Sequence, residues 1–200
     1  MQGAGVCRLQ SDRLSLDSAA GNHLGEVMRF TTLAGAALAI GICIGAAPAQ
    51  ATDKEPCGKN MVCANAPQTV VDALQAAGFK AALSKSKQTG NPMIESAASG
   101  FNFHVFFYEC EENKNCASLQ FSTSFNNDDG QNSADLANKW NSEKRFSQMS
   151  FDPSDKSLNF AYDVSTFGGL GKKNFADVID WWETMLGQLP DFFKTQLGTK

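Results

Sequence analysis

Phe101, Phe103, Val105 and Phe107 alternate with Asn102, His104, Phe106 and Tyr108, and Leu119, Phe121, Thr123 and Phe125 alternate with Ser118, Gln120, Ser122 and Ser124. Successive side chains of an extended strand point to opposite faces, so each run reads as a strand with one apolar face. A polar turn flanked by Cys110 and Cys116 separates them. With those cysteines opposite each other, Phe107 faces Leu119, Val105 faces Phe121 and Phe101 faces Phe125. Both apolar sets then share one side, and a slip of one residue would turn one of them outward. The pattern commits the chain to an antiparallel hairpin that needs a cover on one face.

The flanking segments supply that cover. Pro67 sits at a first helical position, Val70, Val71, Leu74 and Ala77 form a helical stripe, and Gly78 marks the stop. Short strands are expected at Lys80–Ser84 and Pro92–Ser96, around a Gly90–Asn91 turn. Ser133 can cap a helix running to about Lys144, with Leu136 and Trp140 on one face. Two more strands are expected at Arg145–Phe151 and Ser157–Ser165. Gly168, Gly169 and Gly171 then break the chain, and Asn174 can cap a last helix carrying Phe175, Val178, Ile179, Trp182 and Leu186. Pro190 is expected to end it, with another turn or two over Asp191–Leu197. Helix, strands, helix, strands, helix on hairpin connections is an α+β domain: an antiparallel sheet with three helices.

Met28–Ala51 reads as a secretory signal peptide. Arg29 gives a positive start, and Ala49-Gln50-Ala51 supplies the small-x-small pattern of a cleavage site. The apolar run Leu33–Ala47 is about 15 residues, short of the roughly 20 that span a bilayer. Ile42 precedes Cys43 where lipid attachment needs a small residue, so no lipoprotein is expected. Residues 1–27 are polar and aperiodic, and translation is expected to begin at Met28. The mature chain is read as a loop over residues 52–66 and one domain over 67–200, in the periplasm or secreted, without a membrane anchor after cleavage.

Export leaves Cys57, Cys63, Cys110 and Cys116, an even count with three connectivities. Their spacing favours two local disulfides, Cys57–Cys63 and Cys110–Cys116. A tetrahedral zinc site usually has closer cysteines, and the redox spacing C-x-x-C does not occur. The chain has 17 Lys and Arg against 21 Asp and Glu, a net charge of −4. That acidic balance argues against nucleic acid, whose phosphates demand clustered cations. No basic amphipathic helix suggests a peripheral membrane module.

No pattern for catalysis, metal or cofactor stands up. His104 is the only histidine after the leader, and no nucleophile elbow accompanies it. Gly168–Lys173 cannot form a phosphate loop, because Thr166 stands where a glycine is needed and Lys173 where Ser or Thr is needed. Phe125–Leu136 cannot be an EF-hand, since Phe125 and Leu136 would hold its first and last ligand positions. Weak calcium binding by Asp128 and Asp129 has nothing else to support it. Glu109, Glu111 and Glu112 read as a solvated hairpin tip, and Trp140 and Trp182 as core anchors. Phe106 and Tyr108 fall on the polar face beside Asn102, His104 and Gln120. They form a partner surface if the helices cover only the other face, and are buried if a helix or the N-terminal loop covers them.

Phe101-Asn102-Phe103, Phe107-Tyr108-x-Cys110 and Cys116-x-Ser118-Leu119-Gln120-Phe121, followed by Trp140-Asn141, Arg145-Phe146, Asp163, Gly168-Gly169 and the Trp-rich last helix, resemble the YbjN family of bacterial sensory-transduction regulators in its exported alphaproteobacterial form. The resemblance runs from about Pro67 to Phe193. It implies a fold similar to type III secretion chaperones, an α+β module that binds protein partners, and it supplies no catalytic residues. The expected function is a non-enzymatic binding or chaperone-like module for a protein or peptide, with no cofactor. The rival is a small periplasmic hydrolase using His104 with nearby carboxylates. Amino-terminal sequencing of the exported protein should read from Thr52. A retained Met28 would remove the cleavage site from this reading.

Overall fold

The computed structural model describes residues 52–126 and 130–198. The expected leader, the upstream extension and the Asp128–Asp129 calcium site lie outside them. The elements run β1 (Met61–Val62), α1 (Pro67–Ala76), β2 (Ala81–Lys85), β3 (Pro92–Ala98), β4 (Phe101–Tyr108), β5 (Ser118–Phe125), α2 (Ala134–Glu143), β6 (Gln148–Phe151), β7 (Leu158–Ser165), β8 (Leu170–Gly171) and α3 (Lys172–Leu197). Six strands form one antiparallel sheet in the order β2-β3-β4-β5-β7-β6, and β1 pairs with β8 beside it.

The central hairpin adopts the register that the alternation requires, with Phe107 opposite Leu119 and Val105 opposite Phe121. Both cysteine pairs, Cys57–Cys63 and Cys110–Cys116, lie at disulfide bonding distance. One face of the sheet carries Ile94, Phe103, Val105, Phe107, Leu119, Phe121, Leu158 and Phe160, all buried. Full burial of each such side chain contributes about 1.5–3 kcal/mol. All three helices pack there. Trp182 of α3 meets Phe103, Phe121 and Phe160 at ring-centroid distances of 5.5, 5.7 and 5.5 Å. Trp140 of α2 stands edge-on to Phe160 and to Phe192. Val70, Val71 and Leu74 of α1 complete the core. The two tryptophans are core anchors, as their helical spacing implies.

Local chemistry accounts for the helix starts. Ser133 accepts a hydrogen bond from the Leu136 N–H at 3.2 Å and caps α2. Pro67 opens α1, and Gly78, at φ +92°, stands just past its end in the left-handed conformation that glycine adopts without strain. From α2, Asn141 donates to the Met149 carbonyl at 2.9 Å and accepts from the Met149 N–H at 2.8 Å. One side-chain amide thus takes the place of a further strand on the β6 edge.

Several expectations need correction. The last helix begins at Lys172 after Gly171, not at an Asn174 cap, because β8 runs directly into it and the Lys172 N–H donates to the Asn60 carbonyl. Pro190 does not end it. The helix continues to Leu197 because Leu189 just before it and Phe192 beyond it are buried, and that burial outweighs the lost backbone bond. Ala77 is exposed rather than part of the apolar stripe. The strand expected from Arg145 starts only at Gln148, since Phe146 holds φ +70°, incompatible with an extended ladder. Residues 52–66 are more than a loop held by their own cysteines. Asp53, buried, accepts from the Gly168 N–H at 3.0 Å, and Thr166 accepts from the Ala64 N–H at 2.9 Å. Gly169, at φ +88°, lies so near Cys63 that a Cβ there would stand 3.0 Å from its sulfur.

Pro190→Ala restores a helical N–H at an exposed position, and should raise stability by about 1–2 kcal/mol after allowing for the freer unfolded chain. Urea unfolding measures it. A loss of stability would contradict a helix that runs unbroken through residue 190.

Candidate functional site

Because the three helices share one side, the other face of the sheet carries no helix among the described residues. Strand register decides what lies there. One row runs Met93, Phe106, Gln120, Asp163 across β3, β4, β5 and β7. The next runs Glu95, His104, Ser122, Ala161, Gln148 from β3 to β6. Tyr108 and Ser118 pair beyond them. Phe106 is half-buried among its neighbours and Tyr108 is 44% exposed.

Hydrogen bonds tie this face together sideways. The Tyr108 hydroxyl donates to Gln120 Oε1 at 3.5 Å, Gln120 Nε2 donates to Asp163 Oδ1 at 2.8 Å, and Gln148 Nε2 donates to Asp163 Oδ2 at 2.9 Å. The Asp163 carboxylate is thus held by two neutral amides from flanking strands. Partial burial, and secondarily the charge of Asp163, raise the Tyr108 pKa above its ordinary value. The Tyr162 phenol is raised in the same way, by burial first and then by Asp177.

All five residues expected to form the partner surface, Asn102, His104, Phe106, Tyr108 and Gln120, lie on β4 and β5 and point to this face. Phe106, Tyr108 and Gln120 join the aromatic and amide cluster. Asn102 stands apart near the far end of β4, its carbonyl accepting from Thr123 at 2.8 Å. His104 packs against Phe106 with ring centroids 5.6 Å apart. Met93 and Gln148 escaped the sequence reading, and Asp163 entered it only through the resemblance, without a place on this face. Met93 legibly shares a strand face with Glu95 and Ala97, but nothing local shows that β7 lies beside β5 and β6 beside β7.

The register also sets Glu95, His104 and Ser122 side by side. They do not form a relay: Glu95 accepts from Ser84 at 3.5 Å, and among the described residues neither Glu95 nor Ser122 hydrogen-bonds to the imidazole. No cluster of His, Cys, Asp and Glu that could hold a metal occurs among the described residues. No helix there is long and apolar enough to cross a membrane. At the hairpin tip Glu111 pairs with Lys54 at 2.9 Å, which lowers its pKa first by hydrogen bonding and then by charge. A second exposed aromatic group lies at the rim of the helical layer. There Phe146 packs against Trp181 at 4.5 Å, with the Arg145 guanidinium 4.7 Å from the Phe146 ring.

A helix-backed antiparallel sheet with one open, hydrogen-bonded aromatic face defines the class: an α+β domain with a surface rather than a cleft at its centre. The family model described as "YbjN: Putative bacterial sensory transduction regulator" matches residues 66–194, and the chain belongs to that family. Among solved structures it is similar to "YbjN, a putative transcription regulator from E. coli", at 13% identity and a TM-score of 0.47, covering 64% of this chain and 90% of that one. No curated protein matches at a significant level.

The protein's two tyrosines are both raised, which sets the direction of its response to alkali. Below about pH 10 both phenols are neutral, folded or unfolded. As pH rises further the unfolded chain loses its protons first, so stability falls as pH climbs through the folded values. Phenolate absorbance should therefore appear at higher pH in the folded than in the denatured protein. Asp163→Asn should bring Tyr108 only part of the way back, burial being the larger cause, and leave Tyr162 unmoved. Identical titrations of folded and denatured protein would contradict the burial of these phenols.

Proposed function

We propose that this chain is an exported regulatory module that binds a protein or peptide partner through the open sheet face and catalyses no reaction. One observation carries the reading: exposed Tyr108 and half-buried Met93 and Phe106 share one sheet face with amide and hydroxyl groups whose orientations are already held by hydrogen bonds. Aromatic and Met side chains with neutral polar neighbours are what desolvated interface centres are made of. A face already cross-linked by its own hydrogen bonds loses little freedom on binding. Family membership supports a regulatory or binding role in general. The leader pattern and the two cysteine pairs favour export to an oxidising compartment.

The hydrolase alternative has one observation in its favour, the adjacency of Glu95, His104 and Ser122. The absence of bonds between them among the described residues weighs against it, as does their place on an open sheet face, which does not exclude water from a reaction.

Crosslinking of the tagged protein in the intact envelope, followed by mass spectrometry, should recover one reproducible partner through β4 and β5. Phe106→Ala and Tyr108→Ala should each weaken that capture about tenfold or more, the size of a hot-spot truncation. Both variants should stay folded by circular dichroism, because neither side chain is in the core. Undiminished capture by both would remove the open face as the binding surface. Should an activity be found, its abolition by His104→Ala would favour the hydrolase.

A further inference from the structure

We propose that the helical side of the domain holds a second, small-molecule site that takes a free α-amino acid with an aliphatic side chain. It lies on the layer opposite the open sheet face and does not rest on the function proposed for that face. A cavity of about 340 Å³ opens between α1, the first turn of α3 and the loop closed by Cys57 and Cys63. That volume falls in the range of small-ligand sites.

The walls explain the space. Ala73 and Ala76 stand on the cavity side of α1, and Ala176 answers them from α3. With only methyl groups there the helices leave room between them, and Met61 closes the side formed by the cysteine loop. The loop is fastened to α1, because Thr69 Oγ1 accepts from the Cys63 N–H at 3.0 Å and donates to the Ala66 carbonyl at 2.7 Å. The cavity is therefore pre-formed.

The charges select the occupant. Asp72 lines the cavity from α1 and Lys172 from the start of α3. Among the described residues they form no ion pair with each other, Asp72 accepts from Gln68, and the Lys172 ammonium has no carboxylate partner. Gly171 offers no side chain to cap α3, and no acidic residue stands in its first turn, so the positive helix end adds to Lys172. Opposite charges that line one cavity with alanines, and form no ion pair among the described residues, match a zwitterion. Its carboxylate would lie at Lys172 and its ammonium at Asp72. Its aliphatic side chain would lie over Ala73, Ala76 and Ala176. A plain carboxylic acid or amine would satisfy one wall and leave the other charge unmatched.

The test is a titration of the purified protein with L-leucine, followed by backbone amide NMR. Saturable shifts are expected at Met61, Ala73, Ala76 and Ala176, without movement of Phe106 or Gln120. Lys172→Met and Asp72→Asn should each weaken binding about tenfold, as loss of a charge-assisted contact does. Leucinamide, lacking the carboxylate, and 4-methylpentanoate, lacking the ammonium, should bind correspondingly worse. Ala76→Phe, at an exposed position that tolerates a larger side chain, should fill the cavity and abolish the shifts while the fold persists. Phe106→Ala should leave the titration unchanged, so the two surfaces fail or succeed separately. The proposal is overturned if millimolar leucine produces no saturable shift at these residues. It is equally overturned if either analogue binds as well as leucine, or if Ala76→Phe leaves binding intact.

Discussion

Trp182 reaches Phe103, Phe121 and Phe160 only because three neighbouring strands hold one register. A shift of β5 by one residue would withdraw Phe121 from the indole and present Gln120 or Ser122 in its place. The same shift would send Leu119 and Phe121 to solvent. The aromatic stack is therefore less a cause of the sheet than a test that only one pairing passes. The alternation in β4 and β5 makes that pairing worth most, and the Cys110–Cys116 link at the end of the hairpin holds the strands near it.

One register has two outcomes, one on each face. On the helical side it concentrates rings that cannot be left in water. On the other it lines up Met93, Phe106, Gln120 and Asp163, then Glu95, His104 and Ser122. The sheet separates the packed face from the open one: substitutions on the open face touch little of what keeps the domain folded. Asp163 connects the two ends of that face. It accepts from Gln120 and Gln148, and through Gln120 it is linked to Tyr108, so four strands contribute to one hydrogen-bonded strip.

The segment ahead of α1 does structural work that its polar composition conceals. Asp53 reaches the Gly168 backbone, the Asp53 N–H donates to the Asn115 carbonyl, and Lys54 pairs with Glu111. It thereby joins the loop of the second cysteine pair to the glycine turn before α3. Met61 and Val62 then add a short strand against Leu170 and Gly171. The close approach of Gly169 to Cys63 and Met61 leaves no room for a side chain there. Gly169, within the stretch that does not form a phosphate loop, thus has a packing purpose.

Much of this was legible in the residues themselves. Alternation announced β4 and β5 and their register, since strand pairing across a short turn involves neighbours in the chain. Ser133, Pro67 and Gly78 announced helix ends, because capping is settled by groups a few residues apart. The cysteine pairs followed from spacing for the same reason. What tertiary structure alone decided lies between distant segments. β7 beside β5 brings Asp163 to Gln120; β1 beside β8 moves the start of α3 back to Lys172; and burial of Leu189 and Phe192 carries that helix through Pro190. Local preference at Pro190 points to a helix end, but a preference of a few kcal/mol yields when a longer helix buries more apolar surface. The sequence determined which stretches become strands and helices and which face of each is apolar. Only the folded chain decided which distant strands touch, because that choice depends on the total surface buried and not on any one stretch of residues.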